Sequence, residues 1–260
     1  MASLRVLPRR IYRRMGRNKL LKPTILTCFD IPEVWYRSLS ELYHAHSGGD
    51  NREYLVQHGS FENQHKRKEL DYFMAVIINP GNRPLTPIIP EGLSVAPPTD
   101  MEKIEKYFAD YIFGYEVADN EDYTYGERIR ISLQNVIEIL KRTPDTNQAI
   151  IEVGQPLDIY LNDPPCLRMI DCRIKDGMLH FIIYFRSWDI FAALPENLGG
   201  LQLLKEYMAA EIGVRDGGMI ISSKGAHVYD YAWDQVKQLV RFRDKTDPII
   251  IDNPDEGDIE

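Results

Sequence analysis

The sequence predicts a mixed α/β protein built as a single domain. Two helical patterns lead there first, Ile104, Phe108, Tyr111 and Ile112 in one and Leu133, Val136, Ile137 and Leu140 in the other, spaced at three and four residues. Short apolar or alternating runs lie between and after them, in the pattern of strands. No stretch between the tails reads as an interdomain linker, and 260 residues are enough to bury a sizeable core.

The elements follow in order. Asp30-Ile31-Pro32-Glu33 opens a helix, with Asp30 as cap, Glu33 three residues on, and Val34, Leu39 and Leu42 on its buried side. Residues 48–68 are polar and rich in Gly and His, so they read mainly as loop. The apolar run 73–78 ahead of Asn79-Pro80-Gly81 suits a buried strand ending in a turn. After a proline-rich connection, Thr99 and Glu102 form a capping box for the helix carrying Ile104, and the helix through Leu140 stops near Pro144-Asp145. Residues 149–153, 167–174 and 179–186 read as strands, the last two a hairpin turning at Gly177. A helix over 200–212 with Leu204, Met208 and Ile212 on one face, a strand over 219–222 and a helix over 232–240 complete the chain.

Charge is distributed unevenly. The chain carries −8 overall, yet its first 29 residues hold eight Lys or Arg and no acid, leaving −16 on the remainder. A body that acidic is a poor general nucleic-acid binder. Residues 1–29 therefore form a basic arm, 30–245 the folded domain, and 246–260 an acidic tail. No apolar run reaches the length of a membrane helix, and three cysteines (Cys28, Cys166, Cys172) make no disulfide framework, which points to a reducing, cytoplasmic setting.

Neither a Walker loop nor GxGxxG after a strand is found. His44 and His46, near His58 and His65, lie in a polar loop without ligand spacing, so no metal is assigned to them. The informative stretch runs from Asp163 to Tyr229. A lone cysteine is ordinarily core, but Cys166 follows two prolines where a strand begins. Period-two geometry puts Arg168 on its face, where a cation would lower the thiol pKa. Arg186-Ser187-Trp188-Asp189 ends the partner strand, so a paired hairpin would gather a thiol, two arginines and a hydroxyl on one small anion.

Pro164-Pro165-Cys166, then Arg186-Ser187-Trp188-Asp189, Asn197 in its Leu-Pro-Glu-Asn context and His227-Val228-Tyr229, with Tyr125-Gly126 upstream, resemble the thymidylate synthase family over roughly residues 121–233. The Asp-Pro-Pro-Cys-Leu-Arg form and divergent first half resemble its archaeal branch, close to enzymes that hydroxymethylate pyrimidine nucleotides. The resemblance implies a three-layer α/β (α+β) sandwich whose large twisted mixed sheet packs against its twin in a homodimer. It implies reductive methylation of dUMP, with methylene-tetrahydrofolate or methylene-tetrahydromethanopterin as co-substrate. Cys166 would be the nucleophile that adds to carbon 6 and so activates carbon 5, and Tyr125 would assist proton removal. Arg186 and Ser187 would hold the phosphate, Asn197 the base edge, His227 and Tyr229 the ribose, and Asp189 the reduced pterin. Hydroxymethylation of dUMP, dCMP or CMP is the alternative, and a non-catalytic nucleotide- or RNA-binding homologue a third.

Departures accompany the resemblance. Asn147-Gln148-Ala149 stands where the family carries an arginine pair for the partner's phosphate, and Arg168 is the candidate substitute, ahead of Arg128, Arg130 or the basic arm. Glu105 and Asp110 are candidates for the family's proton-transfer glutamate, though neither has the expected spacing. The apolar closing segment at the C-terminus is replaced by acids.

Overall fold

The computed structural model describes residues 21–44, 52–59, 61–119 and 121–241. Most of the basic arm, His46 and the acidic tail lie outside the described residues. Within them are ten strands and five α-helices. The strands are β1 (Pro23–Cys28), β2 (Arg52–Leu55), β3 (Lys66–Leu70), β4 (Tyr72–Ile77), β5 (Ile150–Glu152), β6 (Leu167–Lys175), β7 (Met178–Phe185), β8 (Trp188–Asp189), β9 (Arg215–Ser223) and β10 (Ala226–Tyr229). The helices are α1 (Ile31–His44), α2 (Met101–Tyr107), α3 (Tyr125–Arg142), α4 (Leu194–Ile212) and α5 (Trp233–Leu239). α2 widens directly into a π-helical turn, Phe108–Phe113.

A six-stranded mixed sheet runs in the order β1-β4-β9-β7-β6-β5, and a four-stranded sheet in the order β2-β3-β10-β8. The predicted hairpin is β6–β7. Its turn places Asp176 at φ 53° and Gly177 at φ 69°, the left-handed pair that matches strand twist. Alternate residues of the large sheet, among them Phe73, Ala75, Ile77, Phe181, Ile183, Phe185 and Ile221, are buried, on the face that α1, α3 and α4 cover. Much of the opposite face is apolar as well, with Asp171, Arg173 and His180 towards its β6 side. Ile25 (60% exposed), Ile78 (58%) and Ile220 (39%) share that open face with Met74, Val76 and Ile182. No helix among the described residues is long and apolar enough to cross a membrane.

The predicted single mixed domain is borne out, with local corrections. Asp30 accepts from the Glu33 N–H at 2.9 Å, and Val34, Leu39 and Leu42 are fully buried, as expected. The next cap sits one residue later than predicted. Asp100 accepts from the Lys103 N–H at 2.9 Å, while the Thr99 hydroxyl donates to Glu196 at 2.9 Å instead. Residues 48–68 contain β2 and the start of β3, whose charged side chains hid the alternation. β1 belongs to the large sheet, so the fold begins before the boundary drawn at residue 30. α4 starts at Leu194, with Pro195 in its first turn where a missing N–H costs nothing.

Candidate active site

Three strands of the large sheet are directly continuous with strands of the small one: β3 of the small sheet leads into β4 through Asp71, β7 into β8 through Arg186 and Ser187, and β9 into β10 through Lys224 and Gly225. At this junction opens a cleft of about 370 Å³. Cys166, Tyr125, Arg186, Ser187, Asn197, His227, Tyr229 and Asp189 all line it. Tyr125 and Tyr229, 104 positions apart in sequence, both reach it because β6–β7, β8, α4 and β10 all have an end at the same place.

Cys166 stands just before β6 and is half-buried, its carbonyl accepting from the Arg186 N–H at 2.8 Å. Burial pushes its thiol above the ordinary 9.0, and the Arg186 guanidinium is the strongest influence against that. The two prolines orient that arginine. Arg186 Nε donates to the carbonyls of Pro164 (3.1 Å) and Pro165 (3.2 Å), and its Nη2 reaches Pro164 O and the Asp163 carboxylate (3.1 Å). Asp163 is more than half exposed, so the anion beside Arg186 is one that a ligand can displace.

Tyr125 accepts the Leu167 N–H at 3.2 Å, next to the nucleophile. Burial and then Cys166 hold its hydroxyl well above the usual range, so it stays protonated. Gly126 explains the motif's second residue. A Cβ there would fall 1.7 Å from the Gly114 carbonyl, so only glycine lets α3 start against the end of the π-turn.

His227 Nδ1 bonds the Gly225 carbonyl at 2.8 Å, and Nε2 is buried with no partner. A carbonyl only accepts, so the proton is on Nδ1 and Nε2 is a bare acceptor. Burial, then Arg67, lowers the imidazole pKa to about 3, which keeps it neutral. Tyr229 packs edge-on against His227, with centroids 4.7 Å apart. Asp189 is buried. It accepts the Phe191 and Ala192 N–H groups at 3.0 Å each and the Tyr231 hydroxyl at 3.0 Å, and burial raises its pKa.

Arg168 is not at the cleft. A β-bulge between Leu167 and Met169 breaks the strict alternation that put it beside Cys166. Its guanidinium instead bonds Asp158 at 2.9 Å, and that same carboxylate holds buried Arg128 at 2.7 Å. Arg130 lies over the Tyr115 ring at 4.4 Å, away from the site. Glu105 and Asp110 are exposed and line no part of the cleft, so neither is in place to move a proton there. His44 bonds the Val240 carbonyl and His65 the Asp230 carboxylate, both at 2.7 Å. The described residues contain no cluster of three or more His, Cys, Asp or Glu fit for a metal ion.

The sequence reading missed Arg67, which lines the cleft from β3 opposite Tyr229. Its Nη2 pairs with Glu69 at 3.1 Å, its Nε bonds the Tyr54 hydroxyl, and Tyr54 in turn donates to Glu69 at 2.6 Å. This triad fixes the guanidinium on the β2–β3 hairpin. Arg67 falls in the 48–68 stretch whose polar composition reads as loop. Tyr107 and Tyr111, stacked at 5.6 Å, and Trp188 are further unpredicted lining residues.

The family model described as thymidylate synthase matches residues 35–259. The chain is also similar to proteins provisionally named as thymidylate synthases. One from Methanosarcina acetivorans is 32% identical over 84% of this chain and 94% of its own length. One from Methanosarcina mazei is 32% identical over 86% and 98%, and one from Methanosarcina barkeri is 32% identical over 81% and 92%.

Proposed function

The chain belongs to the thymidylate synthase family, and on that premise we propose that it methylates dUMP at carbon 5 through a covalent adduct on Cys166. The observation that carries this reading is that Cys166 and the Arg186 guanidinium share one cleft with Asn197 and the bare acceptor of His227. A thiol, an anion site, an amide and a hydroxyl acceptor are what a nucleoside monophosphate needs if sulfur is to reach its ring. A methylene-pterin supplies the one-carbon unit and the hydride.

Arg186 and Ser187 hold the phosphate, with Asp163 displaced from the guanidinium. Arg67, rather than Arg168, is the second cation of that site, donated by the same chain. His227 Nε2 accepts a ribose hydroxyl and Tyr229 lies alongside. The Cys166 sulfur forms a bond to carbon 6 while the ring double-bond electrons move towards the carbon 4 oxygen, which makes carbon 5 nucleophilic. Its thiol pKa is raised by burial, so loss of the thiol proton accompanies attack. Tyr125 stays protonated beside the sulfur and relays protons as carbon 5 gives up its hydrogen. With the one-carbon unit bonded to carbon 5, the sulfur–carbon bond then breaks, and the donor's hydride reduces the exocyclic methylene so formed to a methyl group, which restores the ring. Asp189 holds the pterin.

The second copy that the family's architecture calls for fits the open face of the large sheet. Antiparallel strands with one wet face alternate apolar and polar residues. Here Ile25, Met74, Val76, Ile182 and Ile220 make the uncovered face apolar too, and a patch of that kind marks an interface. We propose that the protein is a homodimer through this face.

Incubation with dUMP, dCMP or CMP and either methylene-tetrahydrofolate or its methanopterin analogue tests the activity. Mass spectrometry is expected to show a methyl group added to dUMP, with absorbance reporting pterin oxidation. A hydroxymethyl product without pterin oxidation would make the protein a hydroxymethylase. Binding with no product under any pair would leave it a nucleotide-binding homologue.

A further inference from the structure

The side-chain amide of Asn197 is held on both its atoms by the protein. Trp188 Nε1 donates to its Oδ1 at 3.0 Å, and its Nδ2 donates to the Tyr107 hydroxyl at 2.9 Å. The two ends of an amide have the same shape, so its hydrogen-bonding partners decide which way it faces. The two partners differ in what they allow. A tyrosine hydroxyl donates or accepts and is content with either end. An indole N–H only donates, so the atom that faces it must be the oxygen.

Trp188 has no freedom to yield. It is 2% exposed and stacks on Phe185 at 4.0 Å with the planes 9° apart. Its backbone N–H bonds the Gly225 carbonyl at 3.0 Å within the β8–β10 pairing. Asn197 sits in the first turn of α4, its N–H bonded to the Ala193 carbonyl at 2.9 Å. With amide and indole both on rigid elements, one N–H of Nδ2 and one lone pair of Oδ1 remain for the cleft, in a fixed order. Reversing the amide would set Nδ2 against the indole N–H, donor against donor in a buried place, and strand a polar group.

We propose that Trp188 is the positioning residue that makes the site selective for a 4-oxo over a 4-amino pyrimidine. It acts by locking the Asn197 amide in the orientation that reads uracil. This rests on the reading of the cleft as a uracil nucleotide site and adds the element that enforces it. Uracil presents an acceptor at position 4 and a donor at N3, and cytosine presents the reverse. A freely turning amide would serve both bases, whereas a locked one serves one. Tyr107 does not enter the choice, because its hydroxyl adapts.

Equilibrium binding of dUMP and dCMP to wild type, Trp188→Phe and Tyr107→Phe tests this. Phenylalanine keeps a ring against Phe185 and removes the donor. Trp188→Phe is expected to shrink the dUMP-over-dCMP preference by roughly tenfold, the scale of one hydrogen bond, through weaker dUMP and stronger dCMP binding. Tyr107→Phe should weaken both nucleotides and leave their ratio within about threefold of wild type, since less than one hydrogen bond then separates them. Equal weakening of both by Trp188→Phe would overturn the proposal and reduce Trp188 to packing. A measurement on the unaltered protein covers failure of that variant to fold. The Trp188 indole N–H should exchange slowly with solvent in the free protein and just as slowly with dUMP bound, and faster exchange on binding would overturn the lock. Wild type that prefers neither nucleotide would instead sink the uracil reading itself.

Discussion

Strands β4, β7 and β9 belong to the six-stranded sheet, and within one or two residues each adjoins a strand of the four-stranded sheet. The two sheets nonetheless have opposite characters. The large one is apolar on its helix-covered face and over much of the other, and contributes chemistry only at its edge, where β6 and β7 end at Cys166 and Arg186. The small one buries Glu69 and His227 and carries Arg67 and Asp189, almost every one tied to a partner on the same sheet or its flanking turns. Polar groups are costly to bury unless hydrogen-bonded. Separating them from the main core lets the large sheet supply rigidity and the small one supply ligands. The junction inherits precision from both, which is why the cleft forms there.

If that division is right, the largest effect comes from the junction. Cys166→Ser should abolish turnover while leaving nucleotide binding close to wild type, since a hydroxyl is a far weaker nucleophile than a thiolate. Release of tritium from carbon 5 of labelled dUMP should vanish with the product, and wild-type release would sink the covalent route.

On the small sheet, Arg67→Ala should weaken dUMP binding by about 2–5 kcal/mol, as should Arg186→Ala at the junction, the scale for losing one partner of a buried charge pair. Deoxyuridine should lose much less in both. Arg168→Ala makes the contrast, because it should leave dUMP affinity nearly unchanged in a titration while lowering the melting temperature. Equal losses for nucleotide and nucleoside in Arg67→Ala would move that residue from ligand to scaffold.

Asp158 tests the scaffold directly. Asp158→Ala leaves buried Arg128 unpaired and should cost about 3–5 kcal/mol in urea unfolding. Burial raises the Asp158 pKa, but the Gln155 N–H and the two arginines outweigh it, so the carboxyl lies below its ordinary 3.8. Its contribution is therefore complete above that value and is lost as pH falls through the lower folded one.

The open face of the large sheet gives an effect on assembly alone. Ile220→Asp should shift sedimentation towards monomer, through burial of a charge in an apolar interface, with helical content retained. Unchanged sedimentation of a dimeric wild type would place the interface elsewhere.

The smallest effect is in thiol reactivity. Burial holds Cys166 above 9.0, so its thiolate fraction at pH 7 is below that of a free cysteine. Alkylation by iodoacetamide should be slow at neutral pH and rise at higher pH than for a free cysteine. Arg186→Ala should move that rise to still higher pH.

What could be read from the sequence divides along the same line. Helices with apolar periodicity and the β6–β7 hairpin were legible because their side chains report a single dominant force. The small sheet was not. Its strands are short and charged, and β2–β3 read as loop because burial there rests on ion pairs rather than on apolar contact. Residues carried by fixed motifs (Cys166, Arg186, Asn197, His227) come together at one cleft. Arg168 was misplaced because a bulge changes which way one residue points without changing composition. Arg67 was missed because its partner Tyr54 reaches it only through strand pairing, and Glu69 meets it two residues on only once that stretch is an extended strand.

The bare Nε2 of His227 has a thermodynamic consequence. An acceptor kept from water and left without a donor costs the free protein about 1–3 kcal/mol, and a ligand hydroxyl that meets it removes this penalty. Occupancy and folding are then linked, because the native state with its acceptor satisfied is further from unfolding by RT ln(1 + [L]/Kd). In a melting experiment dUMP should raise the transition more than its dideoxy analogue does at equal concentration. That difference reports on one imidazole nitrogen without requiring any turnover.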